Sequence, residues 1–298
     1  MVDSKSIKDP ESQGYGSIQG ASSHYASTEH TVEEADAEEG PFPVDLKSML
    51  IAEVFGTCMF VQIGCAANAV ALYTHNSTTM TIDWQVGVVW ALAMTVAVFL
   101  SAALSGAHLN PAVSFSFALA RPADFRFRKL IPYWAAQLGG ALLAGIVNLF
   151  LFHQAISHYE KKMAIVPGAA GSIQSAAAFG CYWSLNSKYI SNGVHAFFIE
   201  AFGTGVLVFC IFAATHIKNP LPGVAVPPII GAMYGVLVVT LGPMTGGSFN
   251  PVRDMGPRIV SVIGHWGPTA LTNFLPYLLG PMIGGPIGAF LADKVLML

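Results

Sequence analysis

One short phrase occurs twice in this chain. Ser105-Gly106-Ala107-His108-Leu109-Asn110-Pro111-Ala112-Val113 returns as Thr245-Gly246-Gly247-Ser248-Phe249-Asn250-Pro251-Val252-Arg253. Asn is a favoured helix cap and Pro a favoured first helical residue, so each phrase reads as a helix start. The first apolar segment runs from Asn110 for about ten residues, until Arg121-Pro122 stops it. At about 1.5 Å per residue it covers half of a hydrocarbon core about 30 Å thick. Two such pieces entering from opposite faces would meet at the midplane, and interrupted spans at matching places in two halves point to a transport site.

The setting is a membrane. Hydrophobic residues make up 53% and charged residues 10% of the 298, against about 25% charged in a soluble domain. Six apolar stretches, near 48–73, 84–104, 130–152, 194–216, 225–243 and 271–293, approach the length of a span. Residues 1–44 differ. They hold nine acids against Lys5 and Lys8, with few large apolar residues, and read as a disordered acidic tail. The channel domain is then 45–298: a first repeat at about 45–152, an outer segment at about 153–192 and a second repeat at about 193–298.

The repeat extends beyond the Asn-Pro phrase. Glu53-Val54-Phe55-Gly56-Thr57 parallels Glu200-Ala201-Phe202-Gly203-Thr204, and Pro132-Tyr133 parallels Pro276-Tyr277. Three spans per half is an odd number, so the second half lies inverted relative to the first. The fold expected is an all-α membrane protein: six transmembrane helices plus two re-entrant half-helices in an inverted repeat.

Basic residues orient it. Arg121, Arg126, Arg128 and Lys129 follow the first half-span and place that link, with Lys47, Lys218, Lys294 and both termini, in the cytoplasm. The link around His75–Ile82 falls outside. Its Asn76-Ser77-Thr78 acceptor motif, in so short a loop, is read as chance. The plasma membrane is the expected location, an organelle membrane the alternative.

At the tip of each half-helix, the Asn side-chain oxygen caps the first turn and leaves its NH₂ as a donor. Asn110 and Asn250 would present these donors side by side, where two positive dipole ends converge and repel cations. Glu53 and Glu200, inside apolar spans, need partners. Either they clamp the neighbouring re-entrant loops or they relay protons. Arg253 is the only basic residue three positions after a half-helix cap. Trp90 is a pore wall or a packing residue. Cys58, Cys65, Cys181 and Cys210 lack metal-ligand spacing, Cys58 and Cys65 reading as buried small hydrophobes, and no cofactor or metal is expected.

From about Leu46 onward these residues closely resemble the major intrinsic protein family, the aquaporins and aquaglyceroporins. The resemblance rests on Gly106-Ala107-His108-Leu109-Asn110-Pro111-Ala112-Val113 and on Asn250-Pro251-Val252-Arg253-Asp254. It implies an aquaporin-like fold assembled as a homotetramer in the bilayer, one pore per subunit. Its partners would be small neutral solutes, with no nucleic acid and no enzymatic role. Asp254, Arg258 and the segment Ile165-Val166-Pro167-Gly168 resemble the glycerol-conducting branch.

By the same resemblance Trp90, Val238, Gly247 and Arg253 form the outer filter. Carbonyls of Gly106, Ala107, His108, Gly246, Gly247 and Ser248 line the lane. Three positions depart from that branch: Gly247 stands where Phe is usual, Val252 where Ala is usual, and Tyr277 near a frequent Pro. The function expected is passive passage of glycerol, with urea and water, excluding ions and protons. The alternatives are a mainly water-conducting pore with ammonia permeability, and a proton-coupled carrier using Glu53 and Glu200.

Overall fold

The structure is a computed structural model that describes residues 44–74, 84–186 and 188–297. The acidic tail, but for Val44, and the link with Asn76-Ser77-Thr78 lie outside the described residues. Among the described residues there is no strand.

Among the described residues, six helices are long and apolar enough to cross a membrane. They are α1 (Leu46–Tyr73), α2 (Trp84–Ser105), α4 (Leu130–Lys162), α6 (Gly193–Ala214), α7 (Val226–Thr245) and α9 (Leu275–Leu291). Two shorter ones, α3 (Pro111–Ala120) and α8 (Pro251–Ser261), start at the repeated phrases, and α5 (Ile173–Ala176) is a single turn. Polar side chains set the ends. Asp45 Oδ1 accepts the Ser48 amide at 2.7 Å to begin α1, and Asn192 Oδ1 accepts the His195 amide at 3.0 Å to begin α6. Apolar side chains such as Phe150, Phe198 and Phe202 face outward, as lipid contact requires.

The packing is that of an inverted repeat. α1 packs on α2 and α4, and α6 packs on α7 and α9 in the same way. Each half-helix crosses over, α3 packing on α9 and α8 on α4, so neither half is complete alone. Close approach depends on glycine. A methyl group at Gly140 would strike the Val54 carbonyl, and one at the equivalent Gly284 the Ala201 carbonyl.

One boundary differs from the sequence expectation. The apolar stretch places the end of the third span near 152, but α4 continues to Lys162. Buried partners hold the extra turns. Glu160 accepts Ser175 Oγ at 2.7 Å and Trp266 Nε1 at 2.9 Å, and its other oxygen meets His265 Nε2 at 2.8 Å. Tyr73 adds a bond from its hydroxyl to the Ser175 carbonyl at 2.7 Å. The segment after α4 is thereby tied to both halves.

Candidate functional site

The two half-helices meet tip to tip. Asn110 Oδ1 accepts the Ala112 amide at 2.9 Å. Asn250 Oδ1 accepts the Val252 amide at 3.1 Å and the Arg253 amide at 3.3 Å. The amide groups do more than the sequence indicated. Asn110 Nδ2 donates to the Phe249 carbonyl at 2.9 Å, and Asn250 Nδ2 to the Leu109 carbonyl at 2.8 Å. One proton of each NH₂ therefore latches the tips together, and the other has no acceptor among the described residues.

Both loops leading to the tips are strained alike. Gly106, Ala107 and Leu109 have φ of 80°, 51° and 52°, while Gly246, Gly247 and Phe249 have 98°, 66° and 51°. Left-handed backbone at Leu and Phe costs of order 1–3 kcal/mol and persists only where neighbours enforce it. The buried carboxylates supply that enforcement. Glu53 accepts the His108 amide at 2.9 Å, the Leu109 amide at 2.8 Å, Ser105 Oγ at 2.7 Å and Gln137 Nε2 at 2.8 Å. Glu200 accepts the Ser248 amide at 3.2 Å, the Phe249 amide at 2.7 Å and Thr245 Oγ1 at 2.6 Å. Four donors meet the first carboxylate and three the second, which is the geometry of a clamp.

Tyr133 and Tyr277 complete the symmetry. Their hydroxyls donate to the carbonyls of Ser105 at 2.9 Å and Thr245 at 2.7 Å. Tyr277, a departure from the glycerol-branch pattern, thus holds one loop as Tyr133 holds the other.

On the side of His108 a cavity of about 150 Å³ opens, lined among others by Gly106, Ala107, His108, Asn110 and Val113. His108 stacks on Phe117 with centroids 4.7 Å apart. The other side holds the residues expected at the outer filter. The Arg253 guanidinium lies 4.8 Å from the Trp90 ring centroid, and Trp90 Nε1 donates to Asn68 Oδ1 at 3.2 Å. Val238 belongs to the same buried cluster as Trp90, and Gly247 follows Gly246, which lies against Cys181. Val252, whose side chain is buried, packs in that cluster too. Arg253 Nε is buried with no protein acceptor. A donor so placed is costly unless an oxygen meets it.

Sequence reasoning missed Cys181. Its Sγ accepts Arg253 Nη1 at 2.9 Å, its amide donates to Asp254 Oδ1 at 2.6 Å and its carbonyl accepts from Arg258. Arg258 in turn bridges Asp254 at 2.9 Å, wholly buried, and lies 4.3 Å from the Tyr182 ring centroid. A residue from the segment between the repeats therefore holds the Arg253 guanidinium. No periodicity marks it. Tyr234 was missed as well: its hydroxyl donates to the Ser248 carbonyl at 2.9 Å, so a carbonyl expected to face solute is already bonded within the protein.

A family model described as Major intrinsic protein matches residues 43–292. The chain belongs to the major intrinsic protein family. As a member it is an integral multi-pass membrane protein and a channel for small uncharged solutes. A glycerol uptake facilitator protein of Escherichia coli K12 is 35% identical over 260 residues, covering 84% of this chain and 89% of that one. A propanediol uptake facilitator of Citrobacter freundii is 32% identical over 247 residues, covering 82% and 88%. Among solved structures, the aquaglyceroporin from Plasmodium falciparum superposes with a TM-score of 0.71 at 27% identity, covering 85% of this chain and 97% of that one.

Proposed function

We propose that this channel conducts glycerol, with urea and water as further solutes, and excludes ions and protons. The observation that carries the reading is the convergence of two half-helix N-termini, where Asn110 and Asn250 each keep one amide proton for a passing oxygen. Arg253 adds a buried Nε–H with no protein acceptor. A neutral polyol supplies oxygens to these donors and rests its carbon edge on Trp90. A cation meets two positive dipole ends and a guanidinium, and the carboxylates beside the tips, Glu53 and Glu200, are already occupied by donors.

The names of similar channels, which include glycerol and propanediol facilitators, favour small polyols. We place both termini in the cytoplasm from the basic link at Arg121–Lys129, and the working form as a homotetramer in the plasma membrane. The roles assigned to Trp90, Val238, Gly247 and Arg253 belong to the same proposal.

A mainly water-conducting pore is the second reading, and the ring contacts of Phe60 with Trp90 and Tyr234 favour it. Liposomes carrying the protein, challenged with water, glycerol, urea and ammonia gradients, separate the two. Glycerol flux well above that of empty liposomes supports the first reading; water flux without glycerol flux supports the second.

A further inference from the structure

We propose that the size limit of this channel is set by an aromatic collar in which Phe60 and Tyr234 close against Trp90 of the Arg253 filter. The inference rests on the channel reading and names residues outside the repeated phrases.

The repeat itself puts these side chains on the lane. Counting back from Ser105 and Thr245, Trp90 corresponds to Ile230, and Tyr234 to Met94; counting on from Glu53 and Glu200, Phe60 corresponds to Leu207. Ile230, Met94 and Leu207 all line the open cavity on the His108 side. Their counterparts must face the lane in the other half, because the halves are related by inversion. Leu, Met and Ile leave a cavity of about 150 Å³ there. Phe, Tyr and Trp occupy the equivalent positions here.

The rings meet one another. Phe60 lies 5.1 Å from Trp90 and 5.0 Å from Tyr234, both edge to face, and Trp90 lies 5.7 Å from Tyr234. Phe60 and Tyr234 are wholly buried and Trp90 nearly so. Edge-to-face aromatic pairs of this kind add attraction beyond their buried area. The Tyr234 hydroxyl meanwhile occupies the Ser248 carbonyl at 2.9 Å, an acceptor that a solute hydroxyl would otherwise use. A solute must pass the rings, and the Ser248 carbonyl has one lone pair fewer to offer it. Gly247 widens the mouth, but the collar is the narrower step.

The test is a size series of water, urea, glycerol and a linear five-carbon polyol, measured by light scattering from liposomes carrying the full chain. Tyr234→Leu should raise the ratio of five-carbon polyol to water permeability at least tenfold over wild type. Should that variant not fold, Phe60→Leu on the facing wall carries the same expectation. A size cut-off that stays at the wild-type value in the folded variants overturns the collar. Glycerol flux of the wild type alone decides the glycerol reading, so that reading can fail while the collar stands: a pore that passes only water in wild type and larger solutes in Tyr234→Leu would show this.

Discussion

Asn110 and Phe249 are 139 positions apart and are joined by a hydrogen bond of 2.9 Å, from the side-chain amide of one to the carbonyl of the other. Its mirror image joins Asn250 to Leu109 at 2.8 Å. These bonds convert two separate half-helices into one span. The same side-chain amides that cap the helices hold their tips in register.

Replacing Asn110 by Ala removes a cap and a cross-bond together. A cap contributes about 1 kcal/mol, and the orphaned Phe249 carbonyl costs about 1–3 kcal/mol more. Thermal unfolding in detergent should fall clearly below wild type, and Asn250→Ala should fall at least as far, because it loses the equivalent cross-bond and caps two amides where Asn110 caps one. Wild-type stability in either variant would contradict the latch.

Glu200→Gln keeps the size of the side chain but turns one acceptor into a donor facing donors. Each orphaned group costs about 1–3 kcal/mol. The expected outcome is a large loss of thermal stability for this variant and for Glu53→Gln, with the residual solute flux indifferent to a pH gradient. Stable variants that lose pH-gradient-driven uptake would instead identify a proton relay.

Arg253→Val removes the charge and the buried Nε–H while leaving Cys181 without its donor. Proton leak should rise and the ratio of glycerol to urea permeability should shift. Liposomes with an entrapped pH dye and a solute panel measure both. Unchanged leak and unchanged ratios would remove Arg253 from the constriction.

Gly247→Phe should narrow the mouth and favour linear polyols over flatter solutes such as urea. Its φ of 66° is demanding and a Cβ there would come within 3.1 Å of the Gly242 Cα, so the variant carries strain of order 1–3 kcal/mol, although Ala107 holds 51° at the equivalent place. Relative rates measured against wild type decide it, and identical rates would place Gly247 outside the lane.

The Asp254–Arg258 pair is wholly buried and holds the Cys181 backbone from both sides. Breaking one partner of such a pair costs about 3–5 kcal/mol. Asp254→Asn should therefore lower the unfolding temperature more than any exposed substitution. Unfolding at the wild-type temperature would mean that the pair does not anchor the segment between the repeats.

The sequence carried the architecture because the Asn-Pro phrases, the two Glu positions and the two Pro-Tyr pairs are polar or conformationally special marks in apolar runs. What each mark bonds to was less readable. Tyr133 and Tyr277 stand out as a repeat, but their hydroxyl bonds to Ser105 and Thr245 emerge only in three dimensions. Phe60 and Tyr234 are hidden for a different reason. A membrane helix is apolar toward lipid and toward a collar of rings alike, so hydrophobic period cannot tell those faces apart. Cys181 lies where no period exists at all. The end of α4 is hard to place from sequence because His-Tyr-Glu-Lys-Lys reads as a polar loop until Ser175, His265 and Trp266 are seen around Glu160.

The most direct test is the volume response of liposomes carrying this protein to an inward glycerol gradient, with and without a proton gradient. Swelling many times faster than in empty liposomes, proportional to the gradient and the same at equal pH on both sides, is the predicted result. Glycerol entry no faster than through lipid alone, or entry only when protons flow with it, would contradict the account.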